Sequence, residues 1–200
     1  MKKSFLVVLI LTMSLSMAFS TDIFGLSLGI NGSYNQEKLL EDGSEPSILN
    51  LDSYSFGFEG RTTINPLLID AVGEIAILNA NEVSLSGILS AGFQTNLFSF
   101  FRFGLTLGPK VTYVYEGNLK FIDNEGRKTK SKAFFDALFE GNCYMRFMAD
   151  IIAGPVMSLG LAYTVPTDFN MKATNFSALL PSAMAFDEGQ VTFCIQMKLF

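Results

Sequence analysis

Residues 101–116 read FRFGLTLGPKVTYVYE. Phe101, Phe103, Leu105, Leu107, Pro109, Val111, Tyr113 and Tyr115 occupy every second position, and Arg102, Thr106, Lys110, Thr112 and Glu116 stand between them. Side chains two apart share one face of a β-strand but would surround a helix. The stretch is therefore a two-faced strand, with every charge on one face.

Working outward, the same period recurs in seven more windows: 23–34, 53–64, 67–78, 83–97, 134–148, 151–165 and 191–200. In 53–64, Tyr54, Phe56, Phe58 and Ile64 oppose Ser53, Ser55, Glu59 and Arg61. Window 67–78 is less clean, because Leu68, Val72 and Leu78 share the face of Asp70 and Glu74. In 134–148, Phe135, Ala137, Phe139, Cys143, Met145 and Phe147 oppose Asp136, Glu140, Asn142 and Arg146. The joints differ in length in a regular way. Loops 35–52, 117–133 and 166–186 are long, and a short connection spans 79–82. Asn65-Pro66, 98–100 and 149–150 are tight turns at the other end. An all-β, eight-stranded antiparallel up-and-down barrel follows, with one smooth rim and one elaborate rim.

Closure removes both sheet edges but leaves open which face is outside. A soluble exported barrel of the lipocalin kind turns its apolar face inward around an apolar ligand. A transmembrane barrel turns it outward to lipid. Three features favour lipid. The apolar face carries no charge, whereas water-facing surfaces are rich in Lys and Glu. The other face is mostly Gly, Ser, Thr and Asn, which suits the narrow interior of eight strands better than Phe and Leu do. Tyr34, Tyr54, Tyr113, Tyr115 and Tyr163 share the apolar face near the long-loop rim, as an aromatic girdle at headgroup level does.

The first twenty residues, MKKSFLVVLILTMSLSMAFS, have a secretory layout: Lys2 and Lys3, an apolar run from Phe5 to Leu11, and Ala18-Phe19-Ser20 before Thr21. The apolar run is short for a bilayer span. Residues 1–20 are read as a signal peptide and 21–200 as the barrel domain. Signal peptide, amphipathic strands, short turns at one end and a terminal Phe resemble the small outer-membrane barrels of the OmpA, OmpX and OmpW type. The resemblance is one of architecture across the mature chain, with no diagnostic motif. It implies residence in the outer membrane of a diderm bacterium and contact with outer-membrane lipid. It also implies that the barrel-assembly machinery reads the last strand, with Phe200 as the assembly signal. One detail departs from that pattern. Val191, Phe193, Ile195, Met197 and Leu199 share a face, and Phe200 falls on the other with Gln196 and Lys198. A bulge near Lys198 or a last residue leaving the ladder is expected.

The inward charges are then Glu59, Arg61, Asp70, Glu74, Arg102, Lys110, Asp136, Glu140 and Arg146. Arg61 and Asp70 lie about equally far from the Asn65-Pro66 turn and face each other in a simple hairpin register. Arg102 and Arg146 stand near the other two turns, so three arginines ring the smooth-rim mouth with Asp70. Glu59, Glu74, Asp136 and Glu140 come from higher up. A polar constriction passing small solutes is one reading. A salt-bridge network filling a closed lumen is the other, and the narrowness of the barrel favours it.

The chain has no histidine, which removes Ser-His and Cys-His nucleophilic sites and His-ligated metal. No enzyme activity and no cofactor are expected. Asp123-Asn124-Glu125-Gly126 lacks the spacing of a full calcium loop. No nucleic-acid module appears, and the basic stretch 127–132 reads as a solvated loop face. Cys143 points outward on the sixth strand and Cys194 inward on the eighth. With the seventh strand between them their Cα atoms stand about 10 Å apart, beyond disulfide reach. Two free thiols are expected. The expected product is a monomeric structural or surface-interaction barrel whose long loops meet any surface ligand, since binding gathers on loops of a rigid scaffold.

Overall fold

The computed structural model describes residues 24–35, 53–97, 100–123, 126–130, 132–171 and 184–199. The expected signal peptide, the assembly residue Phe200, residues 36–52 of the first long loop and 172–183 of the third lie outside the described residues.

Alternation produces strands where it is cleanest. β1 (Phe24–Asn35), β2 (Tyr54–Ile64), β3 (Leu67–Asn79), β4 (Glu82–Leu97) and β5 (Phe101–Tyr115) match the sequence windows to within a residue or two. The second long loop is not all loop. It contains a hairpin, β6 (Leu119–Ile122) and β7 (Lys128–Lys130), that continues the free edge of β5 beyond the barrel. Next comes a seven-residue helix, α1 (Phe134–Glu140). The barrel is completed by β8 (Asn142–Ile152), β9 (Met157–Asn170) and β10 (Gln190–Lys198).

Two expectations are corrected. The window 134–148 is not one strand: its first half is α1. A helix this short is not stable alone. It is held because Ala137 and Leu138 bury against Val111 and Phe121. The turn expected at 149–150 lies at 153–156, where Gly154 takes φ +86°. A left-handed residue there requires glycine or strain, and Pro155 follows it. β8 therefore runs on through Asp150 to Ile152.

All neighbouring strands are antiparallel, in the cyclic order β1–β2–β3–β4–β5–β8–β9–β10 and back to β1. Following the paired residues once around from Val111 on β5 returns to β5 at Phe101, ten residues displaced. That stagger goes with a strand tilt of about 40° and an interior that side chains can fill.

The two faces separate as the alternation demands. Leu28, Ile30, Phe56, Phe58, Ile75, Ile77, Leu161 and Phe193 stand outward and exposed, Phe58 to 74 %. Arg146, Glu59, Asp70, Gln196 and Thr106 face inward with almost no exposure. The strand positions that share this outward face through the paired rows carry no Asp, Glu, Lys or Arg. An exterior of this composition is solvated by hydrocarbon, so this is a membrane-spanning barrel. No helix among the described residues is long and apolar enough to cross a membrane, which leaves crossing to the strands. A cavity for an apolar ligand, as the lipocalin reading needs, is not what the inner face provides.

Candidate functional site: a charge network across the lumen

The hairpin registers set the first contacts. Arg61 lies opposite Asp70 on β3, and Arg102 lies opposite Asp150 on β8. From these positions three arginines and three carboxylates converge across the barrel. Arg61 donates from Nε to Glu59 at 2.5 Å and from Nη1 to Asp150 at 2.6 Å, and stands 3.6 Å from Asp70. Arg146 holds Glu59 through both terminal nitrogens, at 2.9 and 3.1 Å, and also donates to Asp70. Arg102 donates to Asp150 at 2.8 Å and to Ser158 at 3.2 Å. Gln196 donates to Glu59 at 3.2 Å and Ser27 donates to Gln196 at 3.3 Å, so β1 and β10 join as well.

This cluster is electrically balanced. Its members are nearly all removed from solvent; only Arg102, toward the short-turn mouth, keeps appreciable exposure. Desolvating ions is costly unless each has partners with good geometry, and here each guanidinium reaches at least one carboxylate. Two residues on the short-turn side of Asp70 and Arg146 respectively, Leu68 and Met148 meet Ala162 in a small buried apolar cluster. Polar and apolar side chains are both buried on the inward face in this half of the barrel.

The expected inward residues do not all join one ring. Glu74 is buried nearer the long-loop rim and is held by hydroxyls and an amide. Ser33 donates to it at 2.5 Å, Ser55 at 3.2 Å and Gln190 at 2.9 Å. Lys110 is half-buried, with its ammonium 5.1 Å from the Tyr144 ring centroid. Asp136 and Glu140 are corrected: they sit on α1, which packs on the outward face of β5, and Glu140 accepts from Lys132 at 2.5 Å. Asp150 was missed because a turn was expected there. Its signal was present, since it continues the inward series Arg146, Met148, Asp150.

The tyrosines lie along the long-loop side of the wall. Tyr54, Tyr34, Val191 and Tyr163 follow one another across β2, β1, β10 and β9 in a single row of paired residues. The Tyr34 and Tyr54 rings meet edge to face at 5.1 Å. Tyr113 meets Phe121 edge to face at 5.9 Å and donates to the Lys132 carbonyl at 3.1 Å. Tyr163 donates to the Phe186 carbonyl, and Tyr115 is exposed. Above them Lys128 bridges Glu82 and Glu116, tying the β3–β4 turn to the β6–β7 hairpin. That hydrogen bond lowers the Glu82 carboxyl below the usual carboxylate range.

Cys143 and Cys194 are both buried and free, with β9 between their strands. The β1–β10 ladder keeps one register through Ser27 and Lys198, and the Leu199 amide continues it by donating to Leu26. No bulge interrupts it near Lys198.

No family model matches the chain, and no curated protein matches it. Solved structures that align with it include the attachment invasion locus protein Ail of Yersinia pestis, at 11 % identity and a TM-score of 0.46, over 88 % of this chain and 95 % of that one. Ail in complex with the heparin analogue sucrose octasulfate aligns at 14 % and 0.42, with the same coverage. Neisserial surface protein A aligns at 11 % and 0.43, over 88 % of this chain and 96 % of the other. Likeness at this level carries neither family nor function, and the fold stands on the strand ladder itself.

Proposed function

We propose that this chain is a closed, non-conducting barrel of the outer membrane that anchors long surface loops, acting as a structural or surface-interaction protein. The observation that carries the reading is the charge network on the inward face. Six charged side chains of balanced sign compose it, and five of them are almost fully buried. A conducting pore needs a continuous wet path, whereas these groups hydrogen-bond one another. The apolar exterior supports residence in lipid, and the secretory layout of residues 1–20 supports export. The strand ends from which the long loops leave share one rim, and a scaffold of this kind serves what its loops touch.

Planar-bilayer recording tests the closed lumen. The purified protein is expected to add no sustained ohmic steps. Steps in the wild type whose size changes in Arg102→Ala would overturn the reading. Membrane residence is tested separately. The protein is expected to stay in carbonate-washed membranes and to change gel mobility on heating, and release into buffer would refute it.

A further inference from the structure

The outer wall is not evenly covered. On β2, β3 and β4 the outward positions Gly60, Ala71, Gly73 and Gly87 bring four small residues together, in two adjacent paired rows. They floor a groove of about 630 Å³ on the outside of the barrel. Leu28 and Phe58 wall it on one side, and Phe134 and Phe135 of α1 overhang the other. The groove is not a gap a side chain has failed to fill by accident of rotamer. A Cβ on Gly73 would meet no atom within 4 Å, while one on Gly87 would touch both Val111 and Phe134 at 3.7–3.8 Å.

We propose that this groove holds one acyl chain of a phosphate-bearing membrane lipid. The inference rests on the membrane reading above and adds a defined site to it. The groove opens on a face whose neighbours are hydrocarbon-solvated, so the medium available to fill it is acyl chain. Its lining is almost wholly apolar, and water would find no partners there. An empty groove would forfeit dispersion contacts along its whole length. Its size falls in the range of about 300–1,000 Å³ usual for small-molecule sites. The nearby charge bears on the headgroup. The chain enters α1 from the basic run of β7, where Lys128 and Lys132 are ion-paired and Lys130 is exposed with no ion pair among the described residues. That leaves Lys130 to meet a lipid phosphate, against the negative charge that Asp136 brings on α1, where Glu140 is paired with Lys132.

Native mass spectrometry of the refolded, delipidated protein, titrated with dimyristoyl phosphatidylglycerol, tests the site. Wild type is expected to retain one lipid. Gly73→Leu, whose Cβ enters open space, is expected to weaken retention at least tenfold while keeping the heat-shifted gel mobility of a folded barrel. Leu161→Ala, on the far wall, is expected to bind as wild type does. Retention unchanged in Gly73→Leu, or lowered equally by Leu161→Ala, overturns the proposal and leaves the membrane barrel intact. A protein dimer lost in Gly73→Leu overturns it too, naming a second copy as the occupant. Failure of the wild type to fold in micelles at all refutes the membrane reading instead.

Discussion

Replacing Arg146 by Met keeps most of the side-chain volume and deletes the charge at the centre of the lumen. In the native barrel Arg146 is 1 % exposed and serves two carboxylates, Glu59 and Asp70. After the change Glu59 keeps Arg61 and Gln196, but Asp70 keeps only the longer 3.6 Å approach of Arg61. The cluster then carries one unbalanced negative charge in a site closed to water. Breaking a buried pair by removing one partner costs about 3–5 kcal/mol. The middle of that range is roughly a thousandfold in the folded-to-unfolded ratio. Lys132→Met is the reference, because it deletes an ion pair with Glu140 whose two side chains are 41 % and 39 % exposed. A pair so exposed contributes at most about 1 kcal/mol. Adding Asp70→Asn to Arg146→Met restores the balance of charge, so the double variant should lose less than the sum of the singles. Equilibrium unfolding in urea from dilauroyl phosphatidylcholine vesicles reads the wild type, the three single variants and the double variant. The chain has no tryptophan, so the folded fraction is followed by gel mobility and circular dichroism. Arg146→Met no less stable than Lys132→Met would refute the reasoning, because it would mean that the lumen charges are hydrated.

Two further outcomes follow from the inner wall. A Cβ on Gly160 would collide with the Asp150 carboxylate and the Cys194 sulfur, so Gly160→Val should destabilise by about 1–3 kcal/mol through overpacking. Gly73→Val, with open space around its Cβ, should stay close to wild type in the same titration. The cysteines are free and buried on strands separated by β9. Mobility should therefore be identical with and without reductant, and maleimide should label Cys194 only after unfolding; a reductant-sensitive band would contradict the strand order.

Most of the barrel was readable because a period of two has one structural meaning when one face is apolar along a whole strand. The spans of β1 to β5 and the pairing of Arg61 with Asp70 needed nothing beyond alternation and turn position. The helix was not readable that way. In 134–140, Phe135, Ala137 and Phe139 satisfy a period of two, while the burial of adjacent Ala137 and Leu138 suits one helical side. Seven residues are too few for either period to exclude the other. Tertiary packing on Val111 decided it. The β8–β9 turn was a different case, since Gly154-Pro155 is a strong turn signal four residues beyond the position chosen. The groove was invisible for a third reason. Its small residues come from three strands and its overhang from the helix, and only the register brings them side by side.

Misplacing that one turn altered the chemistry of the lumen. With 149–150 treated as a turn, Asp150 leaves the inward series, and three arginines near the smooth rim face Asp70 with the other carboxylates set higher. A ring with excess positive charge is what an anion-passing constriction would look like. Extending β8 to Ile152 returns Asp150 to the wall opposite Arg102, where it also takes Arg61 at 2.6 Å. Glu59 completes the set from β2 by accepting from both Arg61 and Arg146. Of the two arginines that the sequence reading leaves without a facing carboxylate, Arg102 and Arg146, Asp150 satisfies Arg102. An excess of buried charge would have to stay hydrated to be tolerated, and hydration is the precondition for conduction. Once the signs balance, water is no longer required to stabilise the arginines, and the proposal of a closed lumen draws on the same residues that suggest a filter.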